Sequence, residues 1–129
     1  MRFTVELGHV TAYCRATGED VPAIGDDAPF AFPCCLRQQD PEHMRGLKQS
    51  GPAATIEGPG MAMVASDRLD YTGRVLVGST YEVTESIGSS WTKTKASGEV
   101  LSFSEHVADW VDDAGDIVLR STRVLVVVQ

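Results

Sequence analysis

The chain has 129 residues, of which 43% are hydrophobic and 22% are charged, and its formal net charge is −7. This composition is typical of one globular domain and excludes an intrinsically disordered chain. Because the acidic chain has no cluster of Lys or Arg to contact phosphates, we expect no nucleic-acid partner.

Hydropathy and cysteine usage predict where the protein works. The longest apolar run, residues 124–128, is too short for a transmembrane helix, and the first ten residues lack the apolar core of a signal peptide. Three cysteines, two of them adjacent, make a poor disulfide framework, and no metal-ligand spacing such as C-x-x-C is present. We therefore expect a cytoplasmic protein with reduced thiols, no bound metal and no membrane association.

The first third of the chain predicts a strand, a short helix and a loop. Residues 2–7 alternate between polar and apolar side chains, which indicates a strand ended by Gly8. Residues 9–17 carry one face at helical spacing, and Gly18 is typical of a helix C-terminus. Residues 19–33 contain three prolines and predict an ordered loop.

A helical segment is predicted next. Residues 34–39 are compatible with the start of a helix, but Asp40-Pro41-Glu42 is the stronger signal. Its aspartate can cap, its proline fits the first helical position and its glutamate favours the positive helix end. The helix is expected to reach about Gln49, and the pattern over 34–49 fits one kinked helix or two short ones.

The rest of the chain predicts antiparallel strands. Residues 112–116 read DDAGD, which is typical of a hairpin turn. The last strand is almost continuously apolar at its end, so it is expected to be buried or central. The predicted strands cover residues 61–71, 76–87, 89–95, 99–111 and 117–128.

Two stretches resemble one family. Residues 5–22, VELGHVTAYCRATGEDVP, look like the opening of MaoC-like hydratases and dehydratases, where a strand and helix lead into a G-D-x-N-P-x-H loop. Residues 69–128, with RVLVGS and the DDAGD turn, are similar to the half that follows the family's rP-l-x-x-G-D motif, and residues 31–33 stand at its A-P-P motif before the central helix. The resemblance implies an α+β fold, a single hot-dog domain over residues 1–129 with a curved antiparallel sheet wrapped around a central helix.

The resemblance departs from the family at the catalytic motif. In those enzymes the Asp and His of the loop form the acid/base pair that adds water to an enoyl thioester. Matching Gly18 and Pro22 to the motif places Glu19 at the Asp and Ile24 at the His. Since isoleucine has no proton to give, the chain resembles the degenerate N-terminal half of double hot-dog members. Glu19 and Asp20 are the residues predicted to act at the catalytic position.

Pro33, Cys34 and Cys35 are predicted to bind substrate at the start of the central helix. Unpaired backbone N–H groups at a helix start can polarise a thioester carbonyl. A helix N-terminus also lowers the pKa of a thiol, which would favour a nucleophile, although packing is the commoner role of free cysteine.

Basic and histidine side chains supply the remaining candidates. Arg74 is assigned to the substrate site, from a set of four cations near strand ends that are candidates for holding the phosphates of CoA: Arg68, Arg74, Lys93 and Lys95. His43 is expected at the surface of the predicted helix. His106, on the strand face of Ala108 and Trp110, is expected to be structural.

Three functions fit these observations. The first is an acyl-CoA or acyl-carrier-protein binding hot-dog of the hydratase/dehydratase type, with no cofactor beyond the thioester. It would act as a homodimer or with a catalytic hot-dog subunit, because a single hot-dog leaves a sheet edge uncovered. The second is a hot-dog thioesterase in which Asp40 or Glu42 activates water. The third is a binding or assembly subunit without chemistry.

Overall fold

The computed structural model describes residues 1–39 and 63–128, with side chains omitted at 37–39. A short helix, α1 (Leu7–Thr17), and a 3-10 helix (Phe32–Gln39) precede most of the sheet. The predicted helix from Asp40, together with Glu42 and His43, lies outside the described residues. The strands are β1 (Arg2–Thr4), β2 (Met63–Tyr71), β3 (Thr80–Thr94), β4 (Val100–Val111) and β5 (Ile117–Val128).

The five strands form one antiparallel sheet in the order β1-β3-β4-β5-β2. The prediction of two separate strands over 76–87 and 89–95 is wrong, because both belong to β3, which is interrupted only by a bulge between Ile87 and Ser90. Gly88 lies in that bulge, where an added Cβ would come within 3.2 Å of the Glu105 Cβ. Gly88 is therefore required because β3 and β4 approach each other closely at this point. It does not end a strand.

The N-terminal elements differ from prediction at one boundary. β1 ends at Thr4, and α1 begins at Leu7, so Gly8 lies in the first helical turn and does not separate strand from helix. The predicted C-terminus is confirmed. Gly18 has φ of 77°, and its N–H donates to the carbonyl of Cys14 at 2.9 Å. A left-handed residue at this position favours glycine.

The hydrophobic core lies between α1, the 3-10 helix and one end of the inner sheet face. Trp110 is fully buried, with its ring edge-on to Phe3 at 5.3 Å between centroids and tilted against Tyr81 at 5.8 Å. Val10 and Cys14 of α1 and Phe32 of the 3-10 helix belong to the same cluster. The sheet is thus covered at this end by the N-terminal third of the chain.

The predicted hairpin at residues 112–116 is confirmed. The Asp112 carboxylate accepts hydrogen bonds from the N–H groups of Ala114 and Asp116, both at 3.0 Å, and Gly115 has a positive φ. Within residues 1–39 and 63–128, no helix is long and apolar enough to cross a membrane.

Candidate functional site

The loop after α1 presents the two predicted catalytic carboxylates. Glu19 and Asp20 are exposed, and the Thr17 hydroxyl donates to Glu19 Oε2 at 2.7 Å. Both acids line an open groove of about 430 Å³, together with Gly18, Pro22, Asp27 and Pro29. The structure therefore brings Glu19 and Asp20 to one groove, and their catalytic role stays a prediction.

Ile24 stands at an exposed tip of the same loop. Ile24 is 69% exposed. The backbone that follows it is fixed by hydrogen bonds between Gly25 N and Val77 O and between Val77 N and Asp26 O, both at 2.9 Å. Gly78 has φ of 91°, and a Cβ there would come 3.0 Å from Ile24 Cγ2. The position matched to the family's histidine is thus a hydrocarbon side chain on a well-fixed turn, and it offers no proton.

A second cluster of polar side chains lies on the inner sheet face. Strand register places Asp67, Arg123 and His106 directly opposite one another across β2, β5 and β4. Directly paired residues on antiparallel strands share a face of the sheet. The cluster therefore occupies the same face as Trp110 and Leu119, which are fully buried.

Arg123 connects the sheet to the 3-10 helix. Its Nε and Nη2 donate to the two carboxylate oxygens of Asp67 at 2.7 and 3.1 Å, and Nη2 also donates to the Cys34 carbonyl at 3.1 Å. The hydrogen bond with Asp67 raises the pKa of Arg123 above its ordinary value. Two side chains and one carbonyl thus hold the start of the 3-10 helix over the sheet.

His106 lies beside this ion pair and is 7% exposed. Its Nε2 is 2.9 Å from the hydroxyl of Ser104, two residues along β4. A small cavity of about 50 Å³ separates the 3-10 helix from this part of the sheet. Its lining comprises Pro33, Cys34, Leu36, Glu85, His106, Val107, Ala108, Trp110, Ser121, Arg123 and Leu125.

The structure separates the three residues predicted at the helix start. Pro33 and Cys34 line the small cavity, whereas Cys35 is not among its lining residues. The sequence left two roles open for these thiols, packing as the commoner one and a nucleophile with a lowered pKa. Burial raises the pKa of both Cys34 and Cys35, and the nearby Arg123 charge offsets only part of this effect. Both shifts run opposite to the lowering that an activated nucleophile needs, so they favour the packing role.

The four predicted phosphate-binding cations do not converge on one site. Arg74 pairs with Asp27 at 2.9 Å, Arg68 with Asp70 at 3.0 Å, and Lys95 with Glu99 at 3.5 Å. Arg74 lines a groove of about 420 Å³ with Phe30 and Tyr71. Its assignment to substrate binding stays a prediction, and its charge is matched by an acid at the same groove.

Sequence reasoning missed Arg123, Asp67 and Ser121. The apolar end of the last strand hides a second pattern, the alternation of its side chains between the two sheet faces, which indicates that Arg123 points inward. Leu119, Ser121, Arg123 and Leu125 share one face, and the two leucines are buried. A charged residue that alternates in phase with buried leucines is predicted to point inward.

Metal binding was tested on the same parts of the chain. Across residues 1–39 and 63–128, no three His, Cys, Asp or Glu side chains come together in a group that could hold a metal ion. The His106, Asp67 and Cys34 neighbourhood therefore provides hydrogen bonds and charge and does not form a metal-ligand set.

Comparisons with known proteins find likeness in structure only. No family profile matches the sequence, and no curated protein is similar to it in sequence. Among solved structures, the chain is similar to the C-terminally truncated HadBC (3R-hydroxyacyl-ACP dehydratase) complex from Mycobacterium tuberculosis. The TM-score is 0.63 at 15% identity over 98% of this chain and 90% of the other.

Two further structures have the same fold. The MaoC-like dehydratase from Rhodospirillum rubrum gives a TM-score of 0.57 at 19% identity, over 98% of this chain and 86% of the other. The R-hydratase PhaJ1 from Pseudomonas aeruginosa gives 0.51 at 13% identity, over 97% and 76%. The predicted α+β hot-dog fold is confirmed, and the chain has the fold of the MaoC-like hydratases and dehydratases.

Proposed function

We propose that this protein is an acyl-thioester-binding hot-dog of the hydratase/dehydratase type that lacks the Asp/His dyad and works with a second hot-dog subunit. The observation that carries the proposal is Ile24, a hydrocarbon side chain on a fixed turn at the position matched to the family's histidine. The fold likeness to three dehydratase or hydratase structures supports the class of ligand.

The chemistry explains why this loop is incomplete. Hydration of an enoyl thioester forms a C–O bond at C3 and a C–H bond at C2, so one group must remove a proton from water and one must deliver a proton to carbon. The Glu19 carboxylate is able to accept a proton, and the Thr17 hydroxyl donates a hydrogen bond to it. Ile24 is unable to play the second part. We therefore assign Glu19 and Asp20 to the mouth of the substrate groove, beside a dyad supplied by the partner.

The free edge of β3 is where we place the partner subunit. β1 pairs only with Thr80–Glu82 of β3. Beyond this pairing, Val83 N–H donates to the Met1 carbonyl, and the Met1 amino group donates to the Val83 carbonyl. Among the described residues, no strand pairs with that side of β3 from residue 84 to residue 94. Ile87 and Trp91 are exposed along this stretch. A long edge with apolar side chains favours addition of another strand.

The proposed partner is a hot-dog subunit that carries the Asp/His pair, and a homodimer through the same edge is the alternative. The structure most similar in TM-score of the three described above is a HadBC complex. We take the carrier to be CoA or acyl carrier protein.

The test restores the missing chemistry. The purified wild-type chain should hydrate trans-2-butenoyl-CoA at the background rate, measured by loss of enoyl absorbance. The double variant Glu19→Asp/Ile24→His should raise the rate by at least tenfold, since it restores the acid/base pair of the family's motif. Glu19→Asp/Ala23→His, which places the imidazole one residue away, is the matched control. Efficient turnover by the wild type that survives Glu19→Gln and Asp20→Asn would contradict the proposal.

A further inference from the structure

The inner sheet face changes character along the strands. At the end near α1, the residues paired across the sheet are Val83, Trp110 and Leu119, and all three are buried. Two residues further along, strand register places Glu85, Ala108 and Ser121 in one row. Two residues beyond that, the row consists of Ile87, His106, Arg123 and Asp67. Polar and charged groups thus occupy positions that the fold would otherwise fill with apolar side chains.

Stability alone does not explain why these polar groups lie on the inner face. The side chains of Arg123 and Asp67 are 23% and 29% exposed, so both charges lose much of their hydration. Replacing a desolvated ion pair by apolar side chains of similar volume is often neutral or stabilising. Partly buried ionisable groups beside a cavity are often functional. The inner-face cluster therefore qualifies as a candidate site for recognising a ligand.

The charges of the cluster determine which ligand it fits. Arg123 already donates three hydrogen bonds, two to Asp67 and one to the Cys34 carbonyl. Its positive charge is balanced by Asp67, and Glu85 adds a further acid to the cavity wall. An anionic group would therefore gain little here. The hydroxyl of Ser121 in the cavity wall favours a neutral group that forms hydrogen bonds.

The size of the cavity limits the ligand further. Its volume is about 50 Å³, with Pro33 and Leu36 on one side and Ala108 and Ser121 on the other. Pockets that enclose large ligands are roughly 300–1,000 Å³. Among the described residues, the cavity therefore holds only the end of an acyl chain, and a long alkyl tail there would also strip water from the charged row.

We propose that this cavity is the acyl-end subsite and that the protein selects short acyl thioesters whose chain ends in a neutral oxygen group, a hydroxyl or a carbonyl. The inference rests on the proposed binding of acyl thioesters and adds the class of acyl group. Ser121 contacts the terminal oxygen, and Pro33 and Leu36 set the chain length. Arg123 and Asp67 act as positioning residues, because they hold the Cys34 carbonyl and so the lid of the cavity.

The test compares ligands of equal length. Pantetheine thioesters are used because CoA and acyl carrier proteins share that arm, and saturated acyl groups prevent turnover. The probes are 4-hydroxybutanoyl, its isostere pentanoyl, and decanoyl pantetheine, with dissociation constants measured by calorimetry on the full chain. The hydroxylated probe should bind about tenfold more tightly than pentanoyl, because a site built to bind a hydroxyl discriminates against the methyl isostere. Decanoyl pantetheine should bind more weakly than both.

Variants connect the preference to the cavity. Ser121→Ala should reduce the hydroxyl preference to within about twofold, whereas Thr122→Ala, the next residue on the opposite sheet face, should leave it unchanged. A wild-type preference for decanoyl or pentanoyl over 4-hydroxybutanoyl would overturn the inference and leave the proposed function standing, and so would an unchanged preference in Ser121→Ala. Binding of none of the three probes would overturn both. The ligand comparison needs only the wild-type chain, so it decides the matter even if a variant fails to fold.

Discussion

The two ends of the inner sheet face are built by the same strands and the same alternation, yet they do different things. Near α1, Trp110 and Leu119 are fully buried, and the rings of Phe3 and Tyr81 pack against the tryptophan. Towards the other end, Arg123 and His106 take up equivalent inward positions on the same two strands. Packing specifies the first end, and hydrogen bonding specifies the second.

The comparison indicates that the residues that stabilise the fold and those proposed to recognise a ligand lie at opposite ends of the same sheet face. An apolar row gains free energy from every atom it removes from water. A row that contains an ion pair gains little or loses, since desolvation opposes the attraction. We therefore expect substitutions at the apolar end to lower stability most, and substitutions at the polar end to change ligand selection more than stability.

The largest effect should come from Trp110→Ala. The side chain is fully buried, and its ring contacts Phe3 and Tyr81. The truncation should lower the free energy of unfolding by about 3–5 kcal/mol, the usual range for a buried large aromatic residue. Urea unfolding followed by far-UV circular dichroism measures the change. A loss below about 1 kcal/mol would show that this end of the sheet is not the stabilising core.

The polar end allows a sharper test. Arg123→Met alone leaves the Asp67 carboxylate partly desolvated without its main partner, and we expect a loss of about 1–3 kcal/mol for the removed charged hydrogen bonds. The double variant Asp67→Leu/Arg123→Met should return to within about 1 kcal/mol of the wild type or exceed it, because no unpaired charge is left. Chemical denaturation gives the stabilities. A double variant as unstable as Arg123→Met would contradict the argument.

A second bidentate pair on the opposite sheet face is the matched control. Arg120 donates to both carboxylate oxygens of Asp109, at 2.7 and 2.9 Å, but the arginine side chain is 54% exposed. Arg120→Met should lower the free energy of unfolding much less than Arg123→Met does, since exposed ion pairs contribute little. Only the inner pair should affect the hydroxyl preference of the thioester probes. An equal effect of both pairs on that preference would mean that it is not set on the inner face.

Much of the fold was accessible from the sequence because its strands alternate clearly. The hairpin at residues 112–116 and the strand limits of β4 and β5 follow from turn residues and period-two patterning. The bulge in β3 was missed, since Gly88 has the same appearance in a sequence as a turn. Local patterns do not reveal whether the chain closes a hairpin or only approaches its neighbour strand.

The candidate site was harder to predict, because it depends on partners distant in sequence. The residues matched to the family's loop motif could be named from the sequence, since they lie close together in the chain. The ion pair between Asp67 and Arg123 joins residues 56 positions apart and becomes visible only once β2 and β5 are paired. The burial of Cys34 and Cys35, which raises the pKa of both thiols, is likewise a property of tertiary packing that a local helix-start argument does not contain.

The smallest expected effect concerns Tyr71, which is paired with Leu119 at the apolar end of the inner face. Its hydroxyl donates to the Phe30 carbonyl at 2.6 Å, and burial raises its pKa from 10.0 to about 12. Tyr71→Phe should cost about 1 kcal/mol at neutral pH, the net contribution of one hydrogen bond.

The raised pKa of Tyr71 also predicts how the free energy of unfolding changes at alkaline pH. A phenol whose pKa is higher in the folded state binds its proton more tightly there, so its stabilising contribution is complete below pH 10 and is lost as the pH rises towards 12. The wild-type free energy of unfolding should therefore fall across this interval, and the fall should be smaller in Tyr71→Phe. Urea unfolding at several pH values between 9 and 12 checks the difference in slope. Tyr13→Phe is the comparison, because burial also raises the phenol pKa of Tyr13 on α1. If the free energy of unfolding falls equally with pH in the wild type and in Tyr71→Phe, the alkaline sensitivity comes from another group. The hydroxyl of Tyr71 would then not help to hold Phe30 against the sheet.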